Sequence, residues 1–232
     1  MATRIVFLPT LPDEVTLFNE ILVEFEWVPG MAISQAKKSV RNLHGSASEN
    51  HGLNRILEIS TRSEEILGVS LSAFNLMVQI GSKMASVETV YQSAKCFENG
   101  GPYLDILNAS SMDAKRDPRL KASGQLIGFA HDGINWPVKL APNFYDFIYI
   151  SGLLQFKNRQ ELSNYEAFTD IAFGQISLEY KAGKSYNCQA RSAAIFVSLL
   201  RRHPEDRILK ILEELCNKKA GIHEQMGLFK KV

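Results

Sequence analysis

The stretch Asn143 to Phe156 is apolar on almost all sides, with Phe144, Tyr145, Phe147, Ile148, Tyr149, Ile150, Leu153 and Leu154 leaving no polar face. Read as a helix, it has no side suited to water, so other elements must wrap it completely. That predicts a central buried helix and a substantial core. A chain of 232 residues with 45% hydrophobic content can supply one such core but is marginal for two. No long Gly/Ser/Pro-rich linker, internal repeat or low-complexity tract divides it. The expectation is one domain over 1–232. Its core spans about 57–200, with a strand-and-helix extension over 1–56 and a C-terminal helix within 204–232.

Around that helix the pattern is mixed. Arg4 to Leu8 and Val23 to Val28 read as strands, the second closed by Pro29-Gly30. Ser34 to His44 reads as a helix with Ile33, Ala36, Val40 and Leu43 on its apolar side, followed by a polar loop over Ser46 to Asn54. Leu57 to Ser60 and Gly68 to Leu76 read as strands, Tyr103 to Asn108 as a short helix, and Ser110 to Lys121 as a charged connection. Gly124 to Pro137, with three glycines, predicts an irregular segment with some helix near Gln125 to Phe129. Glu161 to Phe168 predicts a helix, then a turn at Gly174 and a strand over Ile176 to Tyr180. Asn187 to Arg202 and Pro204 to Lys218 predict two more helices, the second opened by proline at its first position. The sum is a helix-dominated α+β domain.

Several function classes lose support from composition. No apolar run is long enough to cross a bilayer, and Met-Ala-Thr-Arg is followed by only a short apolar segment, so neither a membrane span nor a signal peptide is expected. The three cysteines, Cys96, Cys188 and Cys216, are odd in number and far apart, which suits a reduced cytoplasmic protein. The five histidines form no HExxH pair, and neither GxGxxG nor GxxxxGK[ST] occurs, so no metal and no nucleotide cofactor is expected. A net charge of +1 argues against a strongly basic nucleic-acid coat protein but leaves room for local patches. Lys37, Lys38 and Arg41 make one such basic face; Lys115, Arg116, Arg119 and Lys121 make another in a loop-like segment. Both read equally as ordinary solvated surface. Ile208, Ile211, Leu212 and Leu215 share a side of the last helix, for core packing or an interface.

The segment Ser86 to Phe97 carries the chemistry. As a helix capped by Ser86, it places Glu88 in the first turn and stacks Glu88, Gln92 and Lys95 in one stripe, while Val87, Val90, Ala94 and Phe97 face a core. A carboxylate, an amide and an amine in a row suit acid–base chemistry, and equally a solvated ion pair.

This E-x-x-x-Q-x-x-K stripe resembles the signature helix of the NADAR superfamily, proteins proposed to act on NAD and ADP-ribose derivatives. Leu71-Ser72-Ala73-Phe74-Asn75-Leu76 looks like the family's Ser-x-Phe segment and Asn135-Trp136 like its Trp motif. Asp170-Ile171-Ala172-Phe173-Gly174 is similar to its D-x-x-W-G, and Asn187-Cys188-Gln189-Ala190-Arg191 to the start of its last helix. The matches follow family order over roughly residues 57 to 200. Trp27 to Met31, Ser34-Gln35, Leu57 to Ser60 and the Asn187 to Ser192 run resemble the branch paired with DarT-type toxins, which ADP-ribosylate guanine in DNA. Phe173, Thr89 and Ala190 depart from the family's Trp, His or aromatic, and Gly.

The resemblance implies a metal-independent hydrolase that removes ADP-ribose from guanine as an antitoxin. It implies catalytic Glu88, Lys95 and Asp170, with Lys95 as the covalent partner. Ser72, Phe74, Asn75, Gln92, Trp136, Asn187, Gln189 and Arg191 would bind the ligand. ADP-ribosylated single-stranded DNA would be the substrate, touched by Lys37, Lys38, Arg41 and Arg119, and a DarT-type toxin the functional partner. The alternatives are a glycosidase on a small metabolite, such as a riboflavin-pathway intermediate, and a non-catalytic ADP-ribose-binding module.

Overall fold

The computed structural model describes residues 1–30, 32–172 and 188–220, the last five by their backbone. Strands β1 (Ala2–Leu8) and β2 (Asn19–Phe25) pair antiparallel, with Ala2 opposite Phe25 and Leu8 opposite Asn19. Helix α1 (Ile33–His51) packs over them. It runs through the segment expected to be a loop after His44, because Ala47 continues the buried Val40–Leu43 stripe and that burial outweighs the weak propensity of Gly45. Gly52, at φ 70°, stops it in the left-handed conformation.

Strand β3 (Ile56–Glu58) and helix α2 (Ile66–Ser70) follow. A strand was expected from Gly68 to Leu76; the chain instead makes this short helix and then a turn. Gly68 explains it: a Cβ there would lie 2.1 Å from the Glu58 carbonyl oxygen, so the segment crosses β3 in backbone contact rather than extending beside it. The hairpin β4 (Met77–Ile80) and β5 (Lys83–Ser86) leads into α3 (Val87–Ser93). Ser86 caps α3, its Oγ accepting from the Thr89 amide at 3.1 Å, as expected from the sequence.

The stripe helix ends earlier than its spacing suggested. Lys95 belongs to strand β6 (Lys95–Phe97), not to the helix, because the chain there is claimed by a neighbour. The Ala130 amide donates to the Ala94 carbonyl at 2.8 Å, and Lys95 sits opposite Phe129. That neighbour is β7 (Leu126–His131), which turns into β8 (Ile134–Pro137). The irregular, partly helical segment expected here is therefore a hairpin. Asp132 and Gly133 take φ of 50° and 75°, the backbone that a two-residue turn between twisted strands requires.

Between β6 and β7, a 3₁₀ turn at Leu104–Asn108 occupies the expected short helix. The expected charged connection is two short helices, α4 (Ser111–Arg116) and α5 (Arg119–Ala122). Ser110 caps α4 by accepting from the Asp113 amide at 3.2 Å.

Helix α6 (Ala141–Gln155) is the buried central helix, with Phe144, Tyr145, Ile148, Tyr149 and Leu153 almost fully enclosed. Arg159–Asn164 forms a 3₁₀ turn, but the second half of the helix expected over Glu161 to Phe168 is strand β9 (Ala167–Thr169). β9 is buried between β1, antiparallel, and β3, parallel, giving the sheet order β2-β1-β9-β3. Two-sided backbone pairing there outweighs local helical pattern. Helices α7 (Gln189–Arg202) and α8 (Ile208–Ala220) pack on α6. A 3₁₀ turn at Glu205–Arg207 opens the last segment. The turn and strand expected at Gly174 to Tyr180 lie outside the described residues. The fold is a helix-rich α+β domain with open sheets.

Candidate active site

The N-terminus of α3 is stitched to the segment before the β4–β5 hairpin. The Glu88 amide donates to the Ala73 carbonyl at 2.9 Å, and the Val87 amide to the Leu76 carbonyl at 2.9 Å. Ser111, on α4, donates to the Phe74 carbonyl at 2.8 Å and lies 2.7 Å from Ser86 Oγ. Gln189, on α7, receives the Ala73 amide on its side-chain oxygen. Ser72, Phe74, Glu88, Gln92 and Gln189, expected from the sequence, are thus drawn into one region by hydrogen bonds between elements distant in the chain.

Glu88 is 4% exposed, and its Oε1 accepts from Gln92 Nε2 at 2.8 Å. Lys115 Nζ lies 4.0 Å from the same oxygen and 5.0 Å from the Phe74 ring centre. Lys95 Nζ lies 5.0 Å from the Tyr91 ring centre. Burial lowers the Lys95 ammonium to about 8; Glu88 opposes that shift and the positive charge of Lys115 reinforces it. Two polar atoms here are buried without a hydrogen-bond partner among the described residues: Ser72 Oγ and Gln92 Oε1. A fully buried polar atom that forgoes a partner needs a reason, and a waiting ligand is one.

Asp170 follows β9 and is buried. Its carboxylate accepts from Gln189 Nε2 at 3.0 Å and from the Ala172 amide at 3.2 Å, and burial raises its pKa despite these bonds. Behind it stands Glu58, on β3. Glu58 accepts from Ser60 Oγ at 2.6 Å, Thr169 Oγ1 at 2.7 Å and the Ile171 amide at 3.0 Å, so it grips the residues on both sides of Asp170. Burial, then the charge of Asp170, pushes Glu58 well above the usual carboxylate range. Thr169 Oγ1 is also 2.8 Å from His44 Nε2, and burial lowers that imidazole to about 4.

The other expected residues are more dispersed. Asn75 is exposed and donates to the Val69 carbonyl at 2.9 Å. Trp136 is in the core, packed on Phe144 and Phe147, with ring centres 5.5 Å away in each case; its indole nitrogen is buried without a partner among the described residues. Arg191 is buried and donates to Asp146 and to the Pro142 carbonyl, both at 3.1 Å, while its Nε has no partner among the described residues. Burial alone would lower the Arg191 pKa; the Asp146 carboxylate more than offsets it, and the net shift is upward. Asn187 lies outside the described residues. Arg41 pairs with Glu64, and Arg119 pairs with both Asp105 and Asp117. For Lys37 and Lys38 no ion pair exists among the described residues.

Sequence reasoning missed Lys115, Glu58 and His44 as neighbours of the site. For Lys115 a signal was present, and for Glu58 a partial one. Ser110-x-x-Asp113 announces a helix start that places Lys115 on a fixed element, and Glu58 is an acid between two apolar strand residues. Among the described residues no cluster of three or more His, Cys, Asp or Glu is arranged to hold a metal, and no helix is long and apolar enough to cross a membrane.

The helix-rich α+β fold with open sheets, the buried Glu88–Gln92 pair on α3 and Lys95 at the start of β6 fit the NADAR class. The profile of the DarT1-associated NADAR antitoxins matches residues 2–222, and the chain belongs to that family. No curated protein matches it.

Proposed function

We propose that this protein hydrolyses the bond between ADP-ribose and the exocyclic amine of guanine in DNA, reversing the product of a DarT-type toxin without a metal or cofactor. The observation that carries this reading is the Lys95 amine, set against Tyr91 and lowered to about 8, near the buried Glu88 carboxylate, whose partner Gln92 keeps an unpartnered Oε1. In the ring-opened substrate, the ribose C1 is joined to guanine nitrogen as an iminium. The Lys95 lone pair attacks C1, and Glu88 takes the proton released from the new C–N bond and returns it to the guanine nitrogen. The C1–N(guanine) bond breaks with its electron pair, leaving an imine between Lys95 and the sugar. Water adds to that imine, frees the lysine and releases ADP-ribose.

Ser72 and Gln92 would meet ribose hydroxyls, and Phe74 a flat ring. Arg191 Nε, with Gln189 at the start of α7, would face the diphosphate. Asp170 is available to the sugar or the departing guanine. Single-stranded or flipped-out guanine is the fitting substrate form, since a duplex buries the modified amine.

The test is free ADP-ribose and restored guanine from a modified single-stranded oligonucleotide, read by mass spectrometry with chelator present. Borohydride should trap wild-type protein on the sugar and leave Lys95→Ala unlabelled. Saturable binding with no turnover would assign the protein to the non-catalytic class. Turnover of a riboflavin-pathway intermediate in place of the oligonucleotide would move it to small-metabolite chemistry.

A further inference from the structure

Lys115 comes from α4, outside every segment that carries the family resemblance, yet its charge reaches all three expected catalytic groups. It lies 4.0 Å from Glu88 Oε1, and it acts on both Lys95 and Asp170. Its position is built. α4 is fixed to the site by Ser111, which bonds the Phe74 carbonyl, and the Phe74 ring lies 5.0 Å from the ammonium. Lys95 is held in the same way against Tyr91. Two ammonium groups, each set against an aromatic ring, therefore compete for one carboxylate.

We propose that Lys115 is a positioning residue of this site, an ammonium at its mouth that holds the Glu88 carboxylate in place and away from pairing with Lys95. The proposal rests on the hydrolase reading above and deepens it. A lone Lys95 beside Glu88 would form an ion pair and be a poor nucleophile. With Lys115 already paired to Glu88, less of that carboxylate's charge is left to hold a proton on the buried Lys95. The charged groups acting on Lys95 are Glu88 from α3 and Lys115 from α4. His131 is the titratable residue on the adjoining strand β7, and burial keeps its pKa below the ordinary value, so it adds no positive charge at neutral pH. The Lys115 side chain is 56% exposed, so its replacement leaves the core untouched.

The experiment compares wild type, Lys115→Met and Lys115→Arg. In Lys115→Met, the acid limb of the kcat/KM profile should move up by about half a pH unit. Release at pH 7 should drop about threefold and recover at high pH. Lys115→Arg should keep the wild-type limb. A loss equal at every pH, or an unmoved limb, overturns the proposal. Competitive acylation of Lys95, read by mass spectrometry across pH, needs no turnover: its midpoint should be near 8 in wild type and higher in Lys115→Met. A midpoint that moves in a protein inactive on modified DNA supports Lys115 and sinks the substrate reading. An unmoved midpoint in an active enzyme sinks Lys115 alone.

Discussion

Two buried carboxylates, Glu58 and Asp170, stand together in the fold and are treated differently by their surroundings from a third, Glu88. Glu58 accepts from a serine, a threonine and a backbone amide, and Asp170 from a glutamine and a backbone amide. Each oxygen of that pair is used within the protein. Around Glu88 the bonding stops short: one amide donor, one lysine 4.0 Å away, and the Gln92 and Ser72 oxygens left over. Burying a polar atom unpaired costs about 1–3 kcal/mol, and the same cost falls on the Trp136 indole nitrogen and on Arg191 Nε. The Glu58 cluster is saturated; the Glu88 cluster keeps acceptors that a bound ligand would complete.

Activity gives the widest separation between the two. Glu88→Gln retains a side chain that can still accept from Gln92, so the fold should persist, but it removes the base. ADP-ribose release should fall by about 10²–10⁴-fold with little change in melting temperature. Asp170→Asn keeps one oxygen to accept from either Gln189 or Ala172 and puts a donor in place of the other, and should cost only about tenfold through looser placement of Gln189 and Ala73. Equal losses in both variants, measured as kcat on the same oligonucleotide, would break the comparison and make Asp170 a chemical group.

Stability should separate them in the opposite sense. Glu58→Ala strands three donors and should cost about 2–4 kcal/mol in urea unfolding, whereas Glu88→Gln should cost little. The pH dependence sharpens this. Because the folded value of Glu58 is raised, its contribution is greatest below the ordinary glutamate value and is lost as pH rises through the folded value. His44 is lowered to about 4 from 6.5, so its contribution is present above 6.5 and lost as pH falls. The two slopes oppose each other in mildly acidic solution. Glu58→Gln should therefore lose more stability than wild type between neutral pH and pH 5, by on the order of 1 kcal/mol, and His44→Gln should lose less. Chemical unfolding at the two pH values decides it.

The same contrast explains what could be read from the chain. Helix α6 was legible because no face of it suits water, and Ser86 with Glu88 announced α3. Lys95 was expected to continue the α3 stripe but belongs to β6, since periodicity could not reveal that Ala94 would be claimed by β7. β9 was misread because its three residues earn their conformation from β1 and β3, both distant in sequence. The β7–β8 hairpin had a local signal in Asp132-Gly133, overlooked beside a third glycine. Glu58 and His44 needed the fold itself, because nothing near them in sequence says that strand, helix and turn will bring their side chains to Thr169.

The smallest effect belongs to the surface, where the distinction between satisfied and unsatisfied groups still applies. Arg119 is held by Asp105 and Asp117, and both bonds raise its pKa. Arg41 is paired with Glu64. A phosphate arriving at either guanidinium must displace a carboxylate that already serves it, so little is gained. For Lys37 and Lys38 no such carboxylate is present among the described residues, and each can release a DNA counterion outright. Replacing Lys37 and Lys38 together with alanine should weaken binding of a single-stranded oligonucleotide several-fold at low salt and lower the slope of log affinity against log salt by about one to two. Arg119→Ala should change neither by more than about twofold. If Arg119→Ala proves the more damaging in fluorescence-anisotropy titrations, its carboxylates are exchanged for phosphate on binding, and the DNA path runs past α5 rather than α1.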